Sequence, residues 1–249
     1  MSEIEIEVRD TLLSLRFNRP DKKNAITEAM YAAMAEAIET LDPKIRVILF
    51  SGAGGCFSAG NDMKSFLQSP PKDNSHPVIR FIRALPKVAV PMVAAVEGPA
   101  IGIGTTLLLH CDLVVAATTA QFGLPFVKLG LVPEAGSSLL LPNLVGTQRA
   151  AQMLLLGDPI DAKAAERFGL VTHLVEPSLL MATAEALIAK LVALPPAALR
   201  ATRKLLKSAE TSARIDAELA IFLERLTSPE LQEAATAFLE KRPADFSKF

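Results

Sequence analysis

Residues Val47-Ile48-Leu49-Phe50-Ser51-Gly52-Ala53-Gly54-Gly55-Cys56-Phe57-Ser58-Ala59-Gly60-Asn61-Asp62 join a short apolar run to a glycine-rich loop. A continuous apolar run closed by turn residues is the mark of a strand buried on both faces. The pairing recurs downstream. Pro91 to Val96 reads as a buried strand, and Glu97-Gly98-Pro99-Ala100-Ile101-Gly102-Ile103-Gly104-Thr105-Thr106 as its glycine loop. Leu113 to Ala117 reads as another buried strand. Upstream, Ile4 to Val8 alternates and Leu12 to Phe17 follows after Arg9-Asp10-Thr11, which predicts a hairpin. Asn18 to Asn24 is a turn-rich basic loop, and Thr27 caps a helix carrying Met30, Met34, Ile38 and Leu41 at helical spacing. Strands separated by helical stretches imply an α/β core with parallel pairing.

From about Pro177 the texture changes. Ser178 to Leu194, Ala197 to Ala209, Ser212 to Leu226 and Pro229 to Lys241 read as helices with no strand pattern among them. The expected organisation is an α/β core over residues 1–190 and a helical tail over 191–249. The length supports a sizeable core, and a net charge of −1 offers no basic field for nucleic acid or an acidic membrane. Two cysteines, Cys56 and Cys111, cannot make a disulfide framework, so a reducing compartment fits. The N-terminus lacks an apolar signal core, and Val88 to Leu109 is too broken by proline and glycine to span a bilayer. The terminal Ser247-Lys248-Phe249 departs from a peroxisomal Ser-Lys-Leu address at its last residue. A cytoplasmic location is expected.

Several local motifs fail on inspection. Gly102-x-Gly104 meets Leu107 where a dinucleotide fingerprint needs a third glycine. No glycine loop ends in Gly-Lys-Ser/Thr, and Ser58 lacks the first glycine of a nucleophile elbow. His76, His110 and His173 lack metal-ligand spacing, so no metal is expected, and His110 beside Cys111 and Asp112 reads as a helix-end cap. With no neighbouring cation in the sequence, Cys56 reads as a buried thiol and not a nucleophile.

What remains is two backbone donor loops and one acid in apolar company, Glu134 within Leu129-Gly130-Leu131-Val132-Pro133-Glu134-Ala135-Gly136-Ser137-Ser138. Glu134 is either a solvated loop residue or helix N-cap, or a desolvated carboxylate kept as a base. The second reading suits removal of a proton next to a carbonyl, with the enolate oxygen held by N–H groups.

The chain resembles the crotonase (enoyl-CoA hydratase/isomerase) superfamily. The resemblance rests on Asn18-Arg19-Pro20 with Asn24-Ala25, Phe57 to Asp62, Pro91 to Gly104, Cys111-Asp112-Leu113, Ala120-Gln121-Phe122-Gly123 and Leu129 to Glu134. Gly157, Ala164-Ala165-Glu166 and Gly169-Leu170-Val171 extend it. Each piece is weak alone; their order and spacing are specific. The resemblance implies a spiral of β-β-α units, a helical trimerisation region and an acyl-CoA thioester substrate. Coenzyme A would be part of that substrate, with no separate cofactor. It also implies an oxyanion hole from the N–H groups of Asn61 and Ile103. The implied substrate-binding positions are Lys22, Lys23, Ala59, Gly60, Asp62, Met63, Gly104, Phe126 and, from an adjoining subunit, Lys241. The implied assembly is a homotrimer or a dimer of trimers.

Hydratases of the superfamily use two glutamates, where this chain has Thr106 and Phe126. Neither residue can serve as a carboxylate base. With Glu134 as the acid instead, the chain resembles the Δ3,Δ2-enoyl-CoA isomerase branch, as do Gly136-Ser137-Ser138 and Leu194 to Arg200. Two alternatives stand beside that one. The first is isomerisation of a ring or epoxide acyl-CoA, although ring-acting relatives often carry aspartate at this position. The second is a catalytically silent acyl-CoA-binding protein in which Glu134 only caps a helix. Phe66, Leu67, Phe81 and Phe126 are expected as pocket walls.

Overall fold

The computed structural model describes residues 2–249, apart from the side chains of Phe238 and Leu239. The chain opens with β1 (Ile4–Arg9), β2 (Leu12–Phe17), α1 (Glu28–Glu39), β3 (Val47–Gly52), α2 (Met63–Gln68) and α3 (Pro77–Ala84). Then come β4 (Met92–Val96), β5 (Pro99–Ile101), α4 (Ile103–Thr106), β6 (Leu113–Ala117) and β7 (Gln121–Gly123). They are followed by α5 (Ser137–Val145), α6 (Thr147–Ala151), β8 (Ile160–Asp161), α7 (Ala162–Arg167) and β9 (His173–Val175). The chain closes with α8 (Leu180–Ala193), α9 (Pro196–Leu206), α10 (Thr211–Arg225) and α11 (Pro229–Glu240).

The main sheet runs β1-β2-β3-β4-β6-β9, with β1 and β2 antiparallel and every later neighbour parallel. The continuous apolar runs follow from burial on both faces. Ile48, Phe50, Met92, Ala94, Val114 and Ala116 face α1 and α3. Val47, Leu49, Val93, Ala95, Val115 and Ala117 face Leu180, Ala184 and Ile188 of α8. The hairpin, the Thr27 cap and the buried strands therefore stand where the sequence puts them, with Thr27 Oγ1 accepting from Met30 N–H. The helical stretches after Pro177 correspond to α8 through α11 within a few residues at each end.

A second, smaller sheet, β5-β7-β8, lies outside that reading. Its strands are two or three residues long, too short for a period to show. The helical tail also enters the interior. Ile215 and Leu219 of α10 belong to the main core, and Phe222 packs edge-on against Phe66 of α2 at 6.1 Å between ring centroids.

Asn24 ties the first loop to the glycine loop after β3. It is fully buried at φ +53°, a left-handed conformation that asparagine tolerates. Its Nδ2 donates to Ala53 O at 2.9 Å and Cys56 O at 2.6 Å, while Oδ1 accepts from Arg19 N at 2.8 Å. Asn24→Ala strands those three backbone groups in a buried place, so it should cost about 3 kcal/mol of unfolding free energy. Urea unfolding checks this; a loss under about 1 kcal/mol would show that the loop tie is replaceable.

Candidate active site

The two glycine loops are hydrogen-bonded to each other. Ser58 N donates to Pro99 O and Ile101 N to Ser58 O, both at 2.9 Å, in a parallel bridge between Ser58 and Ala100. Asn61 and Ile103 each follow this bridge by three residues. The approach needs glycine. A Cβ on Gly60, at φ +88°, would lie 2.7 Å from Ile101 O, and one on Gly104 would lie 3.0 Å from Ser58 O. Neither the Asn61 nor the Ile103 N–H donates to another group among the described residues. Ile103 N–H belongs to the first residue of α4, where helical geometry leaves it without an intrahelical partner. Both donors sit in loops tied together at the Ser58–Ala100 bridge.

Glu134 reaches the same place. Thr106, one turn along α4 from Ile103, donates its Oγ1 hydrogen to Glu134 Oε1 at 2.5 Å. The carboxylate is only 4% exposed, and burial pushes its pKa up to about 8. The Thr106 hydrogen bond opposes that rise, and the Glu218 carboxylate adds to it. The helix-cap reading of Glu134 fails here. The N–H groups of Gly136 and Ser138 at the start of α5 are held by Glu218 of α10, at 2.6 and 2.8 Å. With its capping work done by another side chain, Glu134 is left with Thr106 alone.

Of the remaining expected site residues, Lys22 and Lys23 are exposed beside Ala59, whose N–H donates to Lys23 O at 2.9 Å. Asp62 caps α2 through Ser65 N–H and pairs with Arg19 at 3.0 Å, and Met63 begins that helix. Lys241 is exposed just after α11. Phe126 is buried in one apolar cluster with Phe66, Leu131 and Phe222. Phe81 lies behind Tyr31 at 5.6 Å between centroids, and Leu67 is largely exposed. Cys56 is buried with its thiol on Lys23 O, and burial raises its pKa. Lys23, three-dimensionally close though distant in sequence, pulls the other way without prevailing. Among the described residues no group of three His, Cys, Asp or Glu is placed to hold a metal ion.

Two contributors were not found in the sequence. Tyr31, the chain's sole tyrosine, is buried on α1, and its hydroxyl donates to Asn61 Oδ1. Burial, and then the nearby Glu134 carboxylate, raise its pKa well above the ordinary tyrosine value. A tyrosine on the apolar face of a helix needs a partner for its hydroxyl, and that was the available signal. Glu218 carried none, because its partners lie about eighty positions away.

The spiral α/β fold thus carries two loop N–H groups without a partner among the described residues and one desolvated carboxylate, Glu134. The enoyl-CoA hydratase/isomerase family profile matches residues 7–248, and the chain belongs to that family, within the crotonase superfamily. It is similar to the 1,2-epoxyphenylacetyl-CoA isomerase of Escherichia coli, at 35% identity over 99% of both chains. It is also similar to enoyl-CoA delta isomerase 2 of Rattus norvegicus, at 33% identity over 93% of this chain and 62% of that one. The crystal structure of an enoyl-CoA hydratase/isomerase from Pseudoalteromonas atlantica superposes with a TM-score of 0.93 at 39% identity, covering 99% of this chain and all of that one.

A carboxyl whose pKa is raised on folding binds more protons in the native state than in the unfolded one. Stability therefore falls as pH rises from about 4.5, the ordinary glutamate value, to about 8, and is level beyond. Glu134→Gln keeps an acceptor for Thr106 and removes the titration. Its melting temperature should exceed the wild type's by more at pH 8.5 than at pH 5, read by thermal unfolding across that range. An unchanged difference would mean that Glu134 is solvated.

Proposed function

We propose that the protein is an enoyl-CoA isomerase that converts a 3-enoyl-CoA to the trans-2-enoyl-CoA with Glu134 as its only base. The observation that carries this reading is the buried Glu134 carboxylate held by Thr106, at one of the two places where hydratases carry an acid. Phe126 fills the other place with a buried ring. Without a second carboxylate there is nothing to orient and deprotonate a water molecule, so hydration is disfavoured.

Glu134 Oε takes the proton from carbon 2, and the C–H electron pair moves toward the thioester carbonyl, giving a dienolate in which the 3,4 double bond is conjugated. Its negative charge sits on the thioester oxygen, where the N–H groups of Asn61 and Ile103 receive it. Losing one such donor typically removes about 3 kcal/mol of transition-state stabilisation. The protonated Glu134 then returns its proton at carbon 4, and the double bond forms between carbons 2 and 3. Desolvation serves both halves of this exchange. It makes the carboxylate a stronger base and lets the carboxylic acid keep the proton until carbon 4 takes it. Coenzyme A is carried in as part of the substrate, its nucleotide end beside Lys22, Lys23 and Ala59, with Lys241 of an adjoining subunit in a trimer or pair of trimers reaching the same group.

A second reading is favoured by the E. coli relative, named as an epoxyphenylacetyl-CoA isomerase. The same base and donors would then act on a ring or epoxide acyl-CoA. Incubation of linear 3-enoyl-CoA and of cyclic or epoxide acyl-CoA esters in deuterium oxide separates the two. The linear substrate should acquire deuterium at carbons 2 and 4, and Glu134→Gln should lower the rate by about a hundredfold or more while binding the ester. Turnover confined to the cyclic or epoxide esters would move the assignment to the second reading. Full activity in Glu134→Gln would exclude both.

A further inference from the structure

His110 is a buried imidazole outside the proposed proton transfer; it lies at a helix end as the sequence suggests, but its ring contacts another loop and does not cap its own helix. It closes the short helical turn Leu107–His110 that continues α4, and it is 1% exposed. Its Nε2 lies 2.7 Å from the carbonyl oxygen of Ala135, the residue after Glu134. A carbonyl only accepts, so Nε2 carries the hydrogen. Burial pushes the ring's pKa down to about 4, which keeps it neutral at working pH with that single tautomer.

Ile103, Thr106 and His110 fall three and four residues apart, on one face of one continuous helical segment. From that face Thr106 grips the Glu134 side chain and His110 grips the next carbonyl. The gripped backbone is unusual. Ala135 sits at φ +57° and Gly136 at +76°, so a residue with a Cβ is held left-handed directly after the acid. Glu218 holds the N–H groups of Gly136 and Ser138 on the far side of that turn. The gripping helix is itself anchored, because Lys207 Nζ donates to His110 O at 2.9 Å and Arg203 of α9 pairs with Asp112 at 2.6 Å.

We propose that His110 is a positioning residue for the base: its Nε2–H bond to Ala135 O fixes the left-handed turn that keeps the Glu134 carboxylate against Thr106 and facing the acyl carbons. The inference rests on Glu134 being the base, and its test keeps the two separate. His110→Gln places an amide N–H near the Nε2 position. His110→Asn is equally polar but ends short of Ala135. The Asn variant should lose about a hundredfold in kcat, the usual scale for a base displaced by an ångström, with KM for the enoyl-CoA ester within about twofold. The Gln variant should retain most of the wild-type kcat.

Equal kcat in the two variants, whether both normal or both impaired, would overturn the proposal and leave His110 a packing residue. If the Asn variant does not fold, His110→Met, of similar bulk and without a donor, takes its place against Gln with the same expectation. Glu134→Gln is run alongside in deuterium oxide. Persistent exchange at carbon 2 in that variant would remove the base assignment. Loss of exchange there, together with equal Gln and Asn variants at position 110, would overturn only the positioning role.

Discussion

A carboxylate that must ionise inside an apolar pocket costs folding free energy, and the region around Glu134 is arranged around that cost. Desolvation lifts the acid toward neutrality, and a single hydroxyl, Thr106 Oγ1, offsets part of the penalty by donating to the charged form. Near-complete burial outweighs that one hydrogen bond, so the pKa stands at about 8. Glu218 shares the same small volume without competing for Thr106, because its oxygens are taken by the backbone at the start of α5.

Backbone sterics set the other half of the site. The loops carrying Asn61 and Ile103 approach within hydrogen-bond distance along Ser58 to Ala100. That contact has no room for a Cβ at Gly60. Asn24 and the Arg19–Asp62 ion pair fasten the first of these loops near its two ends. Tyr31 then holds the Asn61 side chain from α1, so the residue presenting one donor is gripped on the side-chain side as well. Loops held at so many points keep their donors in place, the kind of rigidity that an oxyanion site of the proposed type would need.

The main sheet could be read in the sequence because its strands are buried on both faces and leave unbroken apolar runs such as Val47 to Phe50. The helices after Pro177 could be read from their period. The second sheet could not, since a strand of two residues such as Ile160–Asp161 has no pattern to show. Glu134 stood out as the one acid in an apolar stretch, and the glycine loops were visible as loops. What joins them was not legible. The Tyr31–Asn61, His110–Ala135 and Glu218–Gly136 contacts span 30, 25 and 82 positions, and a single sequence holds no record of such pairs. His110 illustrates the error this produces: its neighbours Cys111 and Asp112 suggested a cap, and its true partner lay in another loop.

These long-range contacts change the meaning of the helical tail. Read as sequence, it is an appendage with a role in assembly. In the fold, α10 supplies Glu218 to the turn after Glu134, and Ile215 and Leu219 to the main core. From α9, Arg203 is 4% exposed and pairs with Asp112 while donating to Val88 O and, at 3.4 Å, to His110 O. A buried guanidinium with its partners removed would be expensive, so α9 is pinned to the end of the helix that carries Thr106 and His110. The tail therefore meets the acid's surroundings from both sides, through His110 and through Glu218. Residues from α9 and α10 thus reach both His110 and the turn that follows Glu134.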